Sequence, residues 1–224
     1  MSIICAVPVK DLVNAKQRLT AALGPAERGE LARAMLRDVL GALSAARVDA
    51  VWVVTRDAEV AALAREFGAE PLVEAENRGH TAAVAAAQAE AVRRGARMFL
   101  TVPGDVPCVV PAEIGALVAA AREGEPAFAP SRSGLGTNGA ALTPPDAMPL
   151  RFGEPSFQNH LDAARARGLE PRVLVLRGLG LDIDAPEDLG ALVAEGSTTE
   201  SGRLLAGWRS VAAGSARPVR PWGA

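Results

Sequence analysis

Short apolar runs alternate with amphipathic stretches from Ile3 to Arg122, and few architectures accommodate that rhythm. Residues 3–9 and 50–55 read as buried strands, 70–73 as a shorter third and 97–102 as a fourth. Between them, 25–46 carries Leu31, Met35, Leu36, Val39, Leu40 and Leu43 at helical spacing behind Pro25. Asp57 is placed to cap a helix that runs to Phe67, and the alanine-rich 81–94 stops at Gly95. Another helix follows Pro111 to about Arg122. Each crossover must lay its helix on a sheet face, so this order predicts right-handed connections and a mostly parallel central sheet covered on both sides. The expected fold class is α/β, a Rossmann-like three-layer α/β/α arrangement.

Past that core, 127–130 and 140–142 read as short strands separated by a Gly-Thr-Asn loop, and 157–167 as a helix. Residues 172–176 read as a strand and 186–194 as a last helix, capped by Asp184 or Ala185. From Gly196 the pattern fades into Ser, Thr, Gly and Pro. The reading is therefore one domain over 1–195 and a tail over 196–224, mobile or docked on a partner. A length of 224 residues suits one sizeable domain. A net charge of −2 gives no broad attraction to nucleic acid or an acidic membrane, so phosphate binding must be local. Cys5 and Cys108 have no metal-ligand spacing and read as reduced thiols. Neither a basic leader nor a membrane-length apolar stretch is present, so a cytoplasmic protein is expected.

In an open parallel sheet, ligands bind beyond the carboxyl ends of the strands. Three chemically rich segments follow strands here: the loop from Val9 to Lys16, the turn over 77–81, and Pro103-Gly104-Asp105. The first holds Lys10, Lys16 and Arg18, cations suited to a triphosphate. It lacks both Gly-x-x-x-x-Gly-Lys and Gly-x-Gly-x-x-Gly, which disfavours a P-loop or a dinucleotide site. Asp105, stiffened by flanking prolines, is a candidate oxygen ligand for a hard cation. Leu181-Asp182-Ile183-Asp184 reads as strand-like, which would put both carboxylates on one face. Two such groups repel unless a cation or basic side chain lies between them. Asp184 as a cap of the following helix is the competing role. Gly134-Leu-Gly136-Thr137-Asn138 and Phe152-Gly153-Glu-Pro-Ser156 supply hydroxyls, an amide and a helix start, all suited to anions. Ser156 also reads as a simple N-cap, and His160 as a packed residue, whereas His80 falls on the ligand-facing rim.

The ordered set VPVKDLVNAKQRL, PGDVP, APSRSGLGTNGAAL, RFGEPSFQNH and LDIDAPEDL resembles the CofC/FbiD family. These are guanylyltransferases of coenzyme F-420 biosynthesis with a MobA-like nucleotidyltransferase fold. The resemblance covers about residues 3–194, and the non-glycine first loop separates it from the MobA branch. It implies transfer of GMP from GTP to a three-carbon phospho-acid, namely 2-phospho-L-lactate, phosphoenolpyruvate or 3-phospho-D-glycerate. It further implies Mg2+ held by Asp105, Asp182 and Asp184, and a triphosphate met by Lys10, Lys16 and Arg18. Thr137, Asn138, Gly153 and Ser156 would bind the acceptor, and Gly79, His80 and Thr81 would lie near the nucleobase and ribose. A homodimer is compatible with the sequence. Gly79-His80-Thr81 replaces a Gly-Leu-Asn-like family turn, which keeps two other readings open. One is a nucleotidyltransferase using another nucleotide or a sugar phosphate. The other is a non-catalytic nucleotide-binding relative.

Overall fold

The computed structural model describes residues 2–12, 16–73 and 78–214, without the side chains of 211–214. The chain runs β1 (Ile3–Pro8), a 3-10 turn (Gln17–Ala21), α1 (Pro25–Ser44), β2 (Ala50–Thr55), α2 (Ala58–Glu66), β3 (Glu70–Val73) and α3 (His80–Arg93). It continues through β4 (Met98–Thr101), α4 (Pro111–Ala120), β5 (Ala127–Pro130), β6 (Thr137–Leu142) and α5 (Ser156–Arg165). β7 (Arg172–Val173), α6 (Pro186–Glu195) and α7 (Glu200–Gly214) complete it.

One seven-stranded sheet has the order β3-β2-β1-β4-β6-β5-β7. Pairings among β1 to β4, and between β5 and β7, are parallel, while β6 runs antiparallel to both β4 and β5. The period-two pleat of β1 explains the layering. Cys5 and Val7 join the core with Val39, Leu40, Leu63 and Leu117, whereas Ile4 and Ala6 face Val84, Phe128 and Leu161. A one-residue slip would invert both sets, so burial on two faces fixes the register. The expected α/β fold with a mostly parallel sheet is what forms.

Strand order reverses between β1 and β4, since β2 and β3 extend to one side and the chain then returns to the other. Such a reversal splays the two following loops and opens a crevice at the carboxyl ends of the strands. Asp57 ties the first loop down: one carboxylate oxygen accepts from the Glu59 and Val60 amides, the other from Leu12 N–H.

Four expectations are corrected. The Gly-Thr-Asn segment is not a loop, because Thr137 and Asn138 open β6. Gly139 is a packing residue there: a Cβ would lie 2.8 Å from Leu179 Cδ2 and 2.9 Å from Leu117 Cδ2. Leu181 to Asp184 lies outside any strand, and the strand expected over 172–176 shrinks to Arg172–Val173. The region from Gly196 is not without order, since α7 packs Leu205 against Leu31, Met35, Leu189 and Leu192. Residues 215–224 of the expected tail, 13–15 of the first loop and Asn77 of the third-strand turn lie outside the described residues.

Candidate active site

A cleft of about 580 Å³ opens at the β1/β4 reversal, lined by Lys10, Lys16, Arg18, His80, Asp105 and Asp184 among others. That volume falls within the range typical of small-molecule sites, about 300–1,000 Å³. Lys10, Lys16 and Arg18 follow β1, His80 opens α3, and Asp105 follows β4, so three loops at one sheet edge meet as the sequence order requires.

The centre of the cleft is an ion triad. Lys16 Nζ donates to Asp105 Oδ2 at 2.6 Å and to Asp184 Oδ1 at 2.8 Å. The lysine side chain is only 9% exposed, against 30% and 46% for the two aspartates. Burial works against the Lys16 ammonium, yet the attraction of Asp105 and Asp184 outweighs it and raises its pKa. Burial likewise pushes the Asp184 carboxyl up, but Lys16 prevails and holds it below the usual carboxylate range. Lys16 sits at φ 55°, a non-glycine residue in the left-handed region. That conformation costs roughly 1–2 kcal/mol, and the two charged hydrogen bonds fix the side chain despite it.

Asp184 does not cap α6. Ala185, the other residue the sequence offered, is the N-cap, and Asp188 in the first turn reaches back to accept from the Asp184 and Ala185 amides, leaving the Asp184 carboxylate free to reach Lys16. Asp182 turns to Asn138, whose Nδ2 donates to Asp182 Oδ1 and to Leu179 O, both at 3.0 Å. Its carboxyl is raised, first by burial and further by repulsion from Asp105 and Asp184, against the Asn138 hydrogen bond. Backbone pairing of Ile183 N–H with Asp105 O at 3.1 Å locks the two acidic segments together. Asp105 and Asp184 are thus joined through one ammonium, with Asp182 beside them. Among the described residues, no three His, Cys, Asp or Glu side chains stand arranged to hold a metal ion as they are.

Gly79 caps α3 at φ 89°, a conformation natural to glycine, and His80 then packs tilted against Phe152, with ring centroids 4.4 Å apart and planes 49° apart. Burial lowers the His80 pKa, helped by Lys10 and opposed by Asp105. Thr81 Oγ1 accepts from Phe152 N–H at 2.9 Å and donates to Phe152 O at 3.2 Å. Its hydroxyl therefore clasps the loop ahead of α5. Gly153 in that loop has φ 114°.

Thr137, Ser156 and His160 form a buried cluster beside the acidic corner, linked to it through the next residue, Asn138. Ser156 is not an N-cap: its Oγ accepts from Thr137 N–H at 3.1 Å and donates to Thr137 Oγ1 at 3.3 Å. His160, read from sequence as packing alone, bonds Thr137 Oγ1 through Nδ1 at 3.0 Å. The overlooked signal was spacing, because Ser156 and His160 stand at i and i+4 on α5 and so share a face.

A sequence model described as "Guanylyl transferase CofC like" matches residues 1–212. The chain belongs to that family. A phosphoenolpyruvate guanylyltransferase from Sphaerobacter thermophilus is 45% identical over 90% of this chain and 100% of its own. A 2-phospho-L-lactate guanylyltransferase from Methanothermobacter thermautotrophicus is 38% identical, covering 90% and 89%. Among solved structures, a Desulfovibrio desulfuricans G20 chain described as a nucleotide-diphospho-sugar transferase superposes with TM-score 0.76 at 17% identity, covering 94% and 97%. A cytidylyltransferase from Leptospira borgpetersenii gives 0.61 at 12%, covering 96% and 94%. At such identities these two establish the nucleotidyltransferase fold alone. Within this CofC-like chain, no helix among the described residues is long and apolar enough to cross a membrane.

Proposed function

We propose that the chain transfers GMP from GTP to a three-carbon phosphorylated carboxylate and releases pyrophosphate, a step of coenzyme F-420 biosynthesis. The observation that carries this reading is a cleft holding cations and paired carboxylates in a chain matched along its length by guanylyltransferases. Phosphoenolpyruvate is the first choice of acceptor, since the relatives at 45% and 42% identity bear that name.

In the reaction, an acceptor phosphate oxygen bonds to the α-phosphorus of GTP. The bond from that phosphorus to the oxygen bridging to the β-phosphate breaks, and pyrophosphate leaves with the electron pair. The attacking oxygen is already anionic, so no protein base is needed. The protein's work is to align two anions and balance their charge. Lys10 and Arg18, lining the cleft, would neutralise the triphosphate. Thr137, Ser156 and Gly153 would receive the acceptor's carboxylate or phosphate. Asp105, Asp184 and Asp182 would hold Mg2+. Support comes from the donor set: oxygen ligands suit a hard ion, and two of them already converge on one cation. When bound, the ion would offset charge on the phosphoryl oxygens. Lys16 would then move from the carboxylates to the triphosphate.

Mass spectrometry of products tests the proposal, with GTP offered alongside phosphoenolpyruvate, 2-phospho-L-lactate or 3-phospho-D-glycerate in turn. A GMP adduct and matching pyrophosphate should appear with one acceptor, phosphoenolpyruvate foremost. No adduct with any of them overturns the reading, and an adduct from CTP or ATP alone reassigns the nucleotide. Asp105→Asn and Asp184→Asn should each lower turnover by about 100-fold or more; full activity in both removes the metal assignment.

A further inference from the structure

We infer that His160 is a positioning residue whose Nδ1–H leaves the Thr137–Ser156 hydroxyl pair with a proton to donate to the acceptor anion. The inference rests on the acceptor assignment above and goes beyond it, because it names the group that keeps a hydroxyl proton available there.

The argument is a count of protons. His160 Nε2 lies 2.9 Å from the Arg151 amide, and a backbone N–H can only donate. Nε2 is therefore the acceptor nitrogen of a neutral ring, and the proton belongs on Nδ1. Nδ1–H must then donate to Thr137 Oγ1, 3.0 Å away. The same oxygen accepts from Ser156 Oγ–H at 3.3 Å, while Ser156 Oγ accepts from Thr137 N–H. Both lone pairs of Thr137 Oγ1 are thereby engaged, and its own O–H is left over. If the two hydroxyls exchange roles, the Ser156 O–H is left over instead. Either way one hydroxyl proton of the pair stays unspent, together with one lone pair, whereas the opposite ring tautomer would have consumed that proton. Among the described residues no protein acceptor takes it, although Thr137 is 6% and Ser156 2% exposed. A buried hydroxyl proton without an acceptor is costly, and an incoming carboxylate or phosphate oxygen would satisfy it.

The ring is held to this role from every side. It stacks on Phe128 at 5.3 Å with planes 3° apart and meets Phe152 edge-on at 5.2 Å. Burial depresses its pKa to about 4, so the neutral form persists at physiological pH.

The test uses three replacements with different shapes. His160→Asn keeps a donor near the Nδ1 position. His160→Gln keeps an amide near Nε2 and loses the donor to Thr137. His160→Leu loses both. Steady-state kinetics with the acceptor varied at saturating GTP should show KM for the acceptor rising about tenfold in H160Q and H160L. KM for GTP should stay within about twofold, and H160N should stay close to the wild type. In a Thr137→Val background, H160Q should add nothing further, since its effect runs through the missing hydroxyl. Unchanged acceptor KM in H160Q, or an effect that persists undiminished in T137V, overturns the role of His160 alone. If H160L fails to fold, H160Q against H160N still decides. A wild-type enzyme silent with every phospho-acid overturns the acceptor reading, and this one with it.

Discussion

A lysine held at φ 55° with its ammonium between Asp105 and Asp184 is fixed by its partners more than by its own backbone preference. Its charge answers the repulsion that two neighbouring carboxylates would otherwise suffer. Lys16→Met should therefore separate two properties. Turnover should fall by about 100-fold, whereas the nucleotide-free protein should bind Mn2+ more tightly, because no ammonium competes for the carboxylates. Titration followed by electron paramagnetic resonance reads the second effect, and weaker Mn2+ binding would count against shared occupancy. His160 gives a second expectation. Its pKa is about 4 in the folded protein against an ordinary value of 6.5, so the unfolded chain takes up the proton first as pH falls. Its contribution is fully present above about pH 6.5 and is lost as pH falls toward 4. The amount is about 3 kcal/mol at most. Urea unfolding at pH 7 and pH 4.5 should show that loss, and His160→Asn should lack this component of the slope.

Elements differ in how openly the sequence announces them. β1, β2 and β4 and the helices around them were readable because each of those strands has apolar residues facing both layers, and Pro25, Asp57 and Pro111 mark where helices start. α7 was not. Leu204, Leu205 and Trp208 do recur at helical spacing, but Gly202, Gly207 and the serines around them dilute the signal. What holds its start is remote in sequence: Asp38 on α1 accepts from the Glu200 and Ser201 amides and from Ser201 Oγ–H at 2.7, 3.0 and 2.6 Å. Thr199 Oγ1 adds a local cap by accepting from the Gly202 amide at 2.9 Å, but the carboxylate contributed by another helix leaves no trace in the segment itself. Asp38→Ala should lower stability by about 1–2 kcal/mol, seen as a lower midpoint in thermal unfolding, while a neighbouring Arg33→Ala, an exposed pair, should cost well under 1 kcal/mol. Leu181 to Asp184 fails as a strand for a related reason. Glu113 from α4 binds the Gly178 and Leu179 amides and delivers the acidic segment by side-chain contact instead of by a sheet ladder.

At the scale of the molecule, the acidic corner was legible because topology did the gathering. Loops after β1 and β4 must meet where the strand order reverses, so charged residues at those two strand ends converge without any local motif. The hydrogen-bonding state of the Thr137–Ser156 pair was not legible. It depends on a ring tautomer fixed by the Arg151 amide, and no pattern of residue types encodes that contact.

One small clasp also joins the start of α3 to the loop ahead of α5. The Thr81 hydroxyl, one residue into α3, holds both the amide and the carbonyl of Phe152 in the loop ahead of α5. Whatever steadies one turn steadies the other, so the two ligands should feel each other. Acceptor and a non-transferable GTP analogue should then sharpen one another's affinity by the same factor, about fivefold or more. Calorimetric titrations in both orders would reveal this reciprocity, and in Thr81→Val the factor should shrink toward one.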